Sequence, residues 1–112
     1  MQTFHVLTKI HTKNSNNLTN IELGSKLLED ISDLIGTQIV DSSFHEFGPR
    51  GMTGFALLQE SHISLHTWPE HGLIILDLLS CKPLPDNFEA GVKELLSQVY
   101  SVEKTEFKIE EV

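Results

Sequence analysis

MTGFALLQESHISLHTWPEHGLIILDLLSC, residues 52–81, packs three apolar-rich segments of strand length into one short run. The segments are MTGFALLQ (52–59), SHISLHTW (61–68) and LIILDLLSC (73–81), with PEHG as the break between the second and third. His62 and His66 are four apart, a spacing that would align them on a helix. The segment alternates instead, and Pro69 lies just beyond it. On a strand, His62, Ser64 and His66 share one face and Ser61, Ile63 and Leu65 the other. Upstream, TQIVDSSFHEF (37–47) reads as a further strand ended by GPRG (48–51). Strands this close together, joined by short Gly and Pro turns, pair antiparallel with their neighbours.

Working outward, TFHVLTKIH (3–11) alternates around Phe4, Val6 and Ile10 and reads as a strand with one buried face. The polar tract TKNSNNLTN (12–20) reads as a loop. Asn20 is placed to cap IELGSKLLEDISDLIG, where Leu23, Leu27, Ile31 and Leu34 or Ile35 recur at helical spacing and Gly36 closes the helix. After KPLP (82–85), Asp86 is placed to cap a second amphipathic helix, NFEAGVKELLSQVYS, with Phe88, Val92, Leu95 or Leu96, and Val99 on one face. TEFKIEEV (105–112) supplies a last strand. The order β-α-β-β-β-β-α-β predicts an α+β fold: a two-layer α/β sandwich, a largely antiparallel sheet with two helices on one face. A chain of 112 residues with 39% apolar content holds one core, so residues 1–112 are expected to form a single domain.

Composition limits the function classes. The net charge is −8 and the eight Lys and Arg residues are scattered, which argues against nucleic acid or an anionic membrane as partner. No apolar run is long enough to span a bilayer, and MQTFHVLTKI lacks the pattern of a signal peptide, so a cytoplasmic location is expected. The lone cysteine, Cys81, excludes an internal disulfide and a zinc ribbon.

The chemistry concentrates in ESHISLHTWPEHG (60–72). Two histidines on one strand face would need a third ligand from beyond the turn to hold a metal, and no metal is expected. A Ser-His hydrolase is weaker still, because no G-x-S-x-G elbow occurs. From pattern alone, His62 and His66 read equally well as half-exposed strand residues, and Cys81 as a small buried one.

As one string, however, residues 51–81 resemble the small prokaryotic S-adenosylmethionine decarboxylases, which depend on a pyruvoyl group. The matching elements, in order, are Gly51-Met52-Thr53-Gly54, Glu60-Ser61-His62, His66-Thr67-Trp68-Pro69-Glu70, Asp77 and Cys81. SSFHEFGPRG (42–51) resembles the family's preceding segment. The resemblance implies that the chain cuts itself at Glu60–Ser61 into 1–60 and 61–112. The Ser61 hydroxyl would attack the Glu60 carbonyl to give an ester. Elimination and hydrolysis would then leave a pyruvoyl group, made from Ser61, at the new N-terminus. By residue matching, Thr53 assists the attack and His66 is the base for elimination, a transfer suited to an imidazole. The pyruvoyl ketone would condense with the α-amine of S-adenosylmethionine and accept the electron pair left as CO₂ departs. Cys81 would return the proton, Phe47 would stack on adenine or lie beside the sulfonium, and Glu70 would hold the ribose hydroxyls. The implied role is the supply of aminopropyl groups for spermidine synthesis.

Two positions depart from the family pattern. Lys9 stands where an acid is common, and Lys82 follows Cys81 where Gly is usual. A positive charge pointing into a sulfonium site would be unfavourable. Alternatives are therefore a pyruvoyl-dependent decarboxylase of ornithine or arginine, and an unprocessed homologue that only binds a ligand. The helix-free sheet face and the resemblance together predict a homodimer.

Overall fold

Six strands and two helices follow one another in the order expected. The structure is a computed structural model that describes residues 1–112. Its elements are β1 (Phe4–Thr12), α1 (Ile21–Leu34), β2 (Ile39–Glu46), β3 (Met52–Leu58), β4 (His62–Trp68), β5 (Leu73–Ser80), α2 (Phe88–Val99) and β6 (Val102–Glu111). Single 3-10 turns at Gly48–Arg50 and Pro69–His71 join β2 to β3 and β4 to β5. One sheet runs β2-β3-β4-β5-β1-β6, with every neighbouring pair antiparallel. β2 to β5 thus form a meander, while β1 slots between β5 and β6.

Alternation sets the two faces. Met52, Ala56 and Leu58 on β3, Ile63, Leu65 and Thr67 on β4, and Ile74, Leu76 and Leu78 on β5 are buried on one face. Their odd-numbered or even-numbered neighbours face the opposite way, as a period of two requires. The buried side packs against Leu27, Leu28 and Ile31 of α1 and Phe88, Val92 and Leu96 of α2 in a continuous core. Each fully buried aliphatic side chain of this kind contributes roughly 1.5–3 kcal/mol relative to exposure. The other face carries no helix, and Phe55 and Leu57 remain exposed on it.

Asn20 caps α1 as expected, its side chain accepting the Leu23 N–H at 3.0 Å. Asp86 does not cap α2. Asn87 stands at that boundary without a side-chain hydrogen bond, because the Pro85 carbonyl takes the Phe88 N–H at 3.0 Å instead. β6 begins at Val102, ahead of the expected Thr105, since a register shift between His11 and Thr12 lets Thr12 pair with Val102. Of the tract expected as a loop, Thr12 ends β1 and 13–20 connect it to α1, yet Leu18 within that connection is fully buried. Its carbonyl accepts the Thr67 hydroxyl at 2.6 Å, which ties the loop to β4. No helix is long and apolar enough to cross a membrane.

Candidate active site

The Glu60–Ser61 peptide lies in the tight turn between β3 and β4. Leu58 N–H donates to the Ser61 carbonyl at 2.8 Å across this turn, and Gln59 N–H donates to the Gln38 carbonyl at 3.2 Å. The Ser61 hydroxyl donates to the carbonyl of Leu79 on β5. Ser61, Glu60, Cys81 and Lys82 share the wall of one cleft with Ile35 and Thr37, just past the end of α1. The Cys81 thiol donates to the Glu60 carboxylate at 3.3 Å. That hydrogen bond, then desolvation, then the Glu60 charge hold the thiol above its ordinary pKa, while the Lys82 ammonium pulls the other way.

The structure puts the other expected site residues at the opposite end of the same strands. Thr53 and His66 are direct partners in the β3–β4 ladder, on the helix-free face. His66 Nε2 is 3.2 Å from the Ser64 hydroxyl, and its ring stacks near Trp68 with centroids 6.1 Å apart. Phe47 is half-buried at the start of the Gly48–Arg50 turn, its ring 6.4 Å from that of His45. Glu70 is exposed on the Pro69–His71 turn, 3.9 Å from the His71 imidazole. Gly51 lets these two turns approach. It sits at φ 137°, and a Cβ there would lie 2.0 Å from the Thr67 carbonyl oxygen.

Two half-sites result. At about 3.3 Å per residue the step from Ser61 to His66 is roughly 16 Å. Ser61 and Cys81 are brought together; Thr53 and His66 are brought together; the pairs are kept apart within one chain. The enclosed space of the cleft at Ser61 is ≈ 10 Å³, far below the ~300–1,000 Å³ of most ligand pockets.

Several groups that sequence reasoning missed are main-chain or connecting ones. The Leu58 N–H and Leu79 carbonyl grip Ser61, and the Ser80 hydroxyl bonds both the N–H and the carbonyl of Lys82. Backbone groups leave no signal in residue identity. On the open face, His5 Nε2 meets Asp77 at 2.9 Å and Phe55 stacks on His62. Lys9 lies in the ladder row running from Thr53 through His66 and Ile75 to Glu106. The Lys82 ammonium, from the wall of the same cleft, donates to the Gly36 carbonyl at 2.6 Å. No three His, Cys, Asp or Glu side chains group closely enough to hold a metal ion.

An antiparallel sheet covered on one face by two helices is an architecture shared with a solved decarboxylase. The crystal structure of the adenosylmethionine decarboxylase from Aquifex aeolicus matches with a TM-score of 0.78 and 27% identity, over 97% of this chain and 88% of that one. Residues 4–108 match the family model described as S-adenosylmethionine decarboxylase. The chain belongs to that family of carboxy-lyases. Similar proteins include the S-adenosylmethionine decarboxylase proenzymes of Thermosipho melanesiensis and Persephonella marina. The first is 33% identical over 96% of this chain and 86% of the relative. The second is 35% identical over 96% and 79%.

Proposed function

We propose that this chain decarboxylates S-adenosylmethionine with a pyruvoyl group that it makes by cutting itself between Glu60 and Ser61. The observation that carries the reading is the meeting of Ser61 and Cys81, twenty positions apart in sequence, in one cleft beside Glu60. Relatives named proenzymes support the processing step. The product would supply aminopropyl groups for spermidine synthesis.

The residues at the turn fit a group derived from Ser61. Its hydroxyl is held by Leu79, so its oxygen is oriented in the turn rather than free to rotate. Attack on the Glu60 carbonyl converts the amide to an ester. A base then takes the Cα proton of residue 61, the carboxylate of Glu60 leaves, and hydrolysis of the resulting dehydroalanine releases ammonia. A pyruvoyl group at residue 61 would supply a ketone for the substrate amine and an electron sink for the pair left by CO₂. The Leu58 N–H already donates to the residue-61 carbonyl oxygen, where negative charge would collect, and such a fixed donor stabilises it without reorganisation. Cys81, held protonated by Glu60, is placed to deliver a proton to the substrate carbon.

His66 and Thr53 cannot serve the Ser61 of their own chain across roughly 16 Å. We assign them to the Ser61 of a second copy, in a homodimer closed over the helix-free face. A two-fold axis that superposes opposite ends of β4 would bring Thr53, His66, Phe47 and Glu70 of one protomer to Ser61 and Cys81 of the other, twice over. The adenosyl contacts would then come from a different protomer than the reacting group. The Lys82 ammonium donates to the Gly36 carbonyl and the Glu60 carboxylate lines the same cleft, so the cleft carries one charge of each sign.

The test is intact mass under denaturing conditions. Fragments 1–60 and 61–112, the second with a pyruvoyl terminus, are expected. Release of CO₂ from S-adenosylmethionine, measured against ornithine and arginine, then fixes the substrate. A chain that stays whole after long incubation overturns the reading in favour of an unprocessed ligand-binding protein.

A further inference from the structure

Lys82 directly follows Cys81, and the structure gives it a specific partner. Helix α1 has no basic residue in its last turn, and helix C-termini carry unpaired carbonyls and partial negative charge. Lys82 supplies the missing cation from another part of the chain, its Nζ donating to the Gly36 carbonyl at 2.6 Å. Gly36 itself sits at φ +78°, just past the helix end. The peptide on which Lys82 sits is fixed a second time. The buried Ser80 hydroxyl donates to the Lys82 carbonyl at 2.8 Å and accepts its N–H at 3.3 Å. Cys81 is therefore the middle residue of a three-residue bend held at both ends.

We infer that Lys82 is a positioning residue for Cys81: by clamping the bend after β5 to the end of α1, it keeps the thiol on Glu60 and aimed at residue 61. This rests on the pyruvoyl reading for its consequence, though not for its geometry. Glu60 and Lys82 are the only charged groups lining the cleft around the thiol. They act in opposite directions, which makes the inference testable by sign. If Lys82 were only a nearby charge, removing it would stabilise the thiol form further. If it is a clamp, removing it frees the thiol from Glu60, the largest cause of the raised pKa, and the thiolate becomes easier to form.

The first experiment uses Ser61→Ala chains, so that processing does not vary between samples. Cys81 is the sole cysteine, so alkylation by iodoacetamide across pH reads one thiol. Adding Lys82→Met is expected to raise the alkylation rate near neutral pH by about threefold or more, and Lys82→Arg, which keeps a donor, to restore the slow rate. An unchanged or slower rate in the Met variant overturns the clamp. The second experiment uses chains with Ser61 intact, turning over S-adenosylmethionine. A displaced Cys81 lets the proton reach the residue-61 carbon in place of the substrate carbon. Hydrolysis then leaves the substrate nitrogen on residue 61, so the 61–112 fragment ends in alanine and the decarboxylated substrate departs as an aldehyde. Lys82→Met is expected to increase the alanine-ended share per turnover several-fold. A wild-type chain that neither cuts itself nor releases CO₂ overturns the functional reading. With a processed, active wild type, a Lys82→Met form that leaves even one of the two readouts unchanged overturns the positioning role alone.

Discussion

Co-expressing two inactive variants tests the split site directly. Ser61→Ala removes the nucleophile and His66→Ala removes the proposed elimination base, so neither chain alone is expected to be processed. The geometry decides what a mixture does. Because roughly 16 Å of strand separates the two residues, each site of the proposed dimer would take its Ser61 from one chain and its His66 from the other. In a mixed dimer one site then carries both substitutions and the other carries none. With equal expression and random pairing, half the dimers are mixed, so about one quarter of all sites should be intact. In the intact sites the Ser61 belongs to the His66→Ala chain. Mass spectrometry is therefore expected to show pyruvoyl-ended 61–112 fragments bearing the His66→Ala substitution, amounting to about half of that chain, while the Ser61→Ala chain stays whole. Decarboxylation should recover to the same extent. A mixture in which neither chain is cut, with wild type cut under the same conditions, would refute assembly of the site across two copies.

Glu60→Gln removes the negative charge and weakens the acceptor that keep the Cys81 thiol protonated. The proton-donating form is lost as pH rises through the thiol pKa, so the alkaline limb of kcat is expected to move to lower pH; a limb that stays in place would detach Cys81 from the proton step. Gly51→Ala forces a side chain into the left-handed region and places its Cβ 2.0 Å from the Thr67 carbonyl oxygen. A larger loss than for Gly48→Ala is expected in denaturant unfolding: both variants carry backbone strain of about 1–3 kcal/mol, and only Gly51→Ala adds a clash, since nothing lies within 4 Å of the carbon added at Gly48.

What was legible in the sequence follows from what each residue can report. Strands with one buried face announce themselves by alternation, and Ile63, Leu65 and Thr67 against Ser64 and His66 fall out as the period predicts. Asn20 announced its helix because a cap is a local event. Asp86 misled because the competing acceptor, the Pro85 carbonyl, is a backbone group. Leu18 looked like part of a polar loop because its burial depends on β4, far along the chain. The site was legible as a list and not as an arrangement. Ser61, His66 and Glu70 are neighbours in sequence, and a reader pictures them converging. An extended strand does the reverse: it is the conformation that separates near neighbours most, while it brings Cys81 back to Ser61 through the antiparallel return of β5.

The same topology explains how a chain cut in the middle of its sheet can stay folded. The proposed cut falls in the β3–β4 turn, so the fragment 1–60 keeps β1, β2 and β3 and the fragment 61–112 keeps β4, β5 and β6. In the sheet these strands alternate as β2-β3, β4-β5, β1, β6. Three ladders therefore cross between fragments: β3 with β4, β5 with β1, and β1 with β6. Above all, β1 is hydrogen-bonded on both edges by strands of the other fragment. Its Val6 and Ile10 are fully buried in a core that also takes Leu96 from α2. Separating the pieces would strip those backbone bonds and expose the apolar surface together, so the cut removes one covalent bond without opening a route to dissociation. Placing β1 at the far side of the meander, which no local pattern in the sequence foretells, would keep a chain cut at the proposed Glu60–Ser61 bond together as one folded unit.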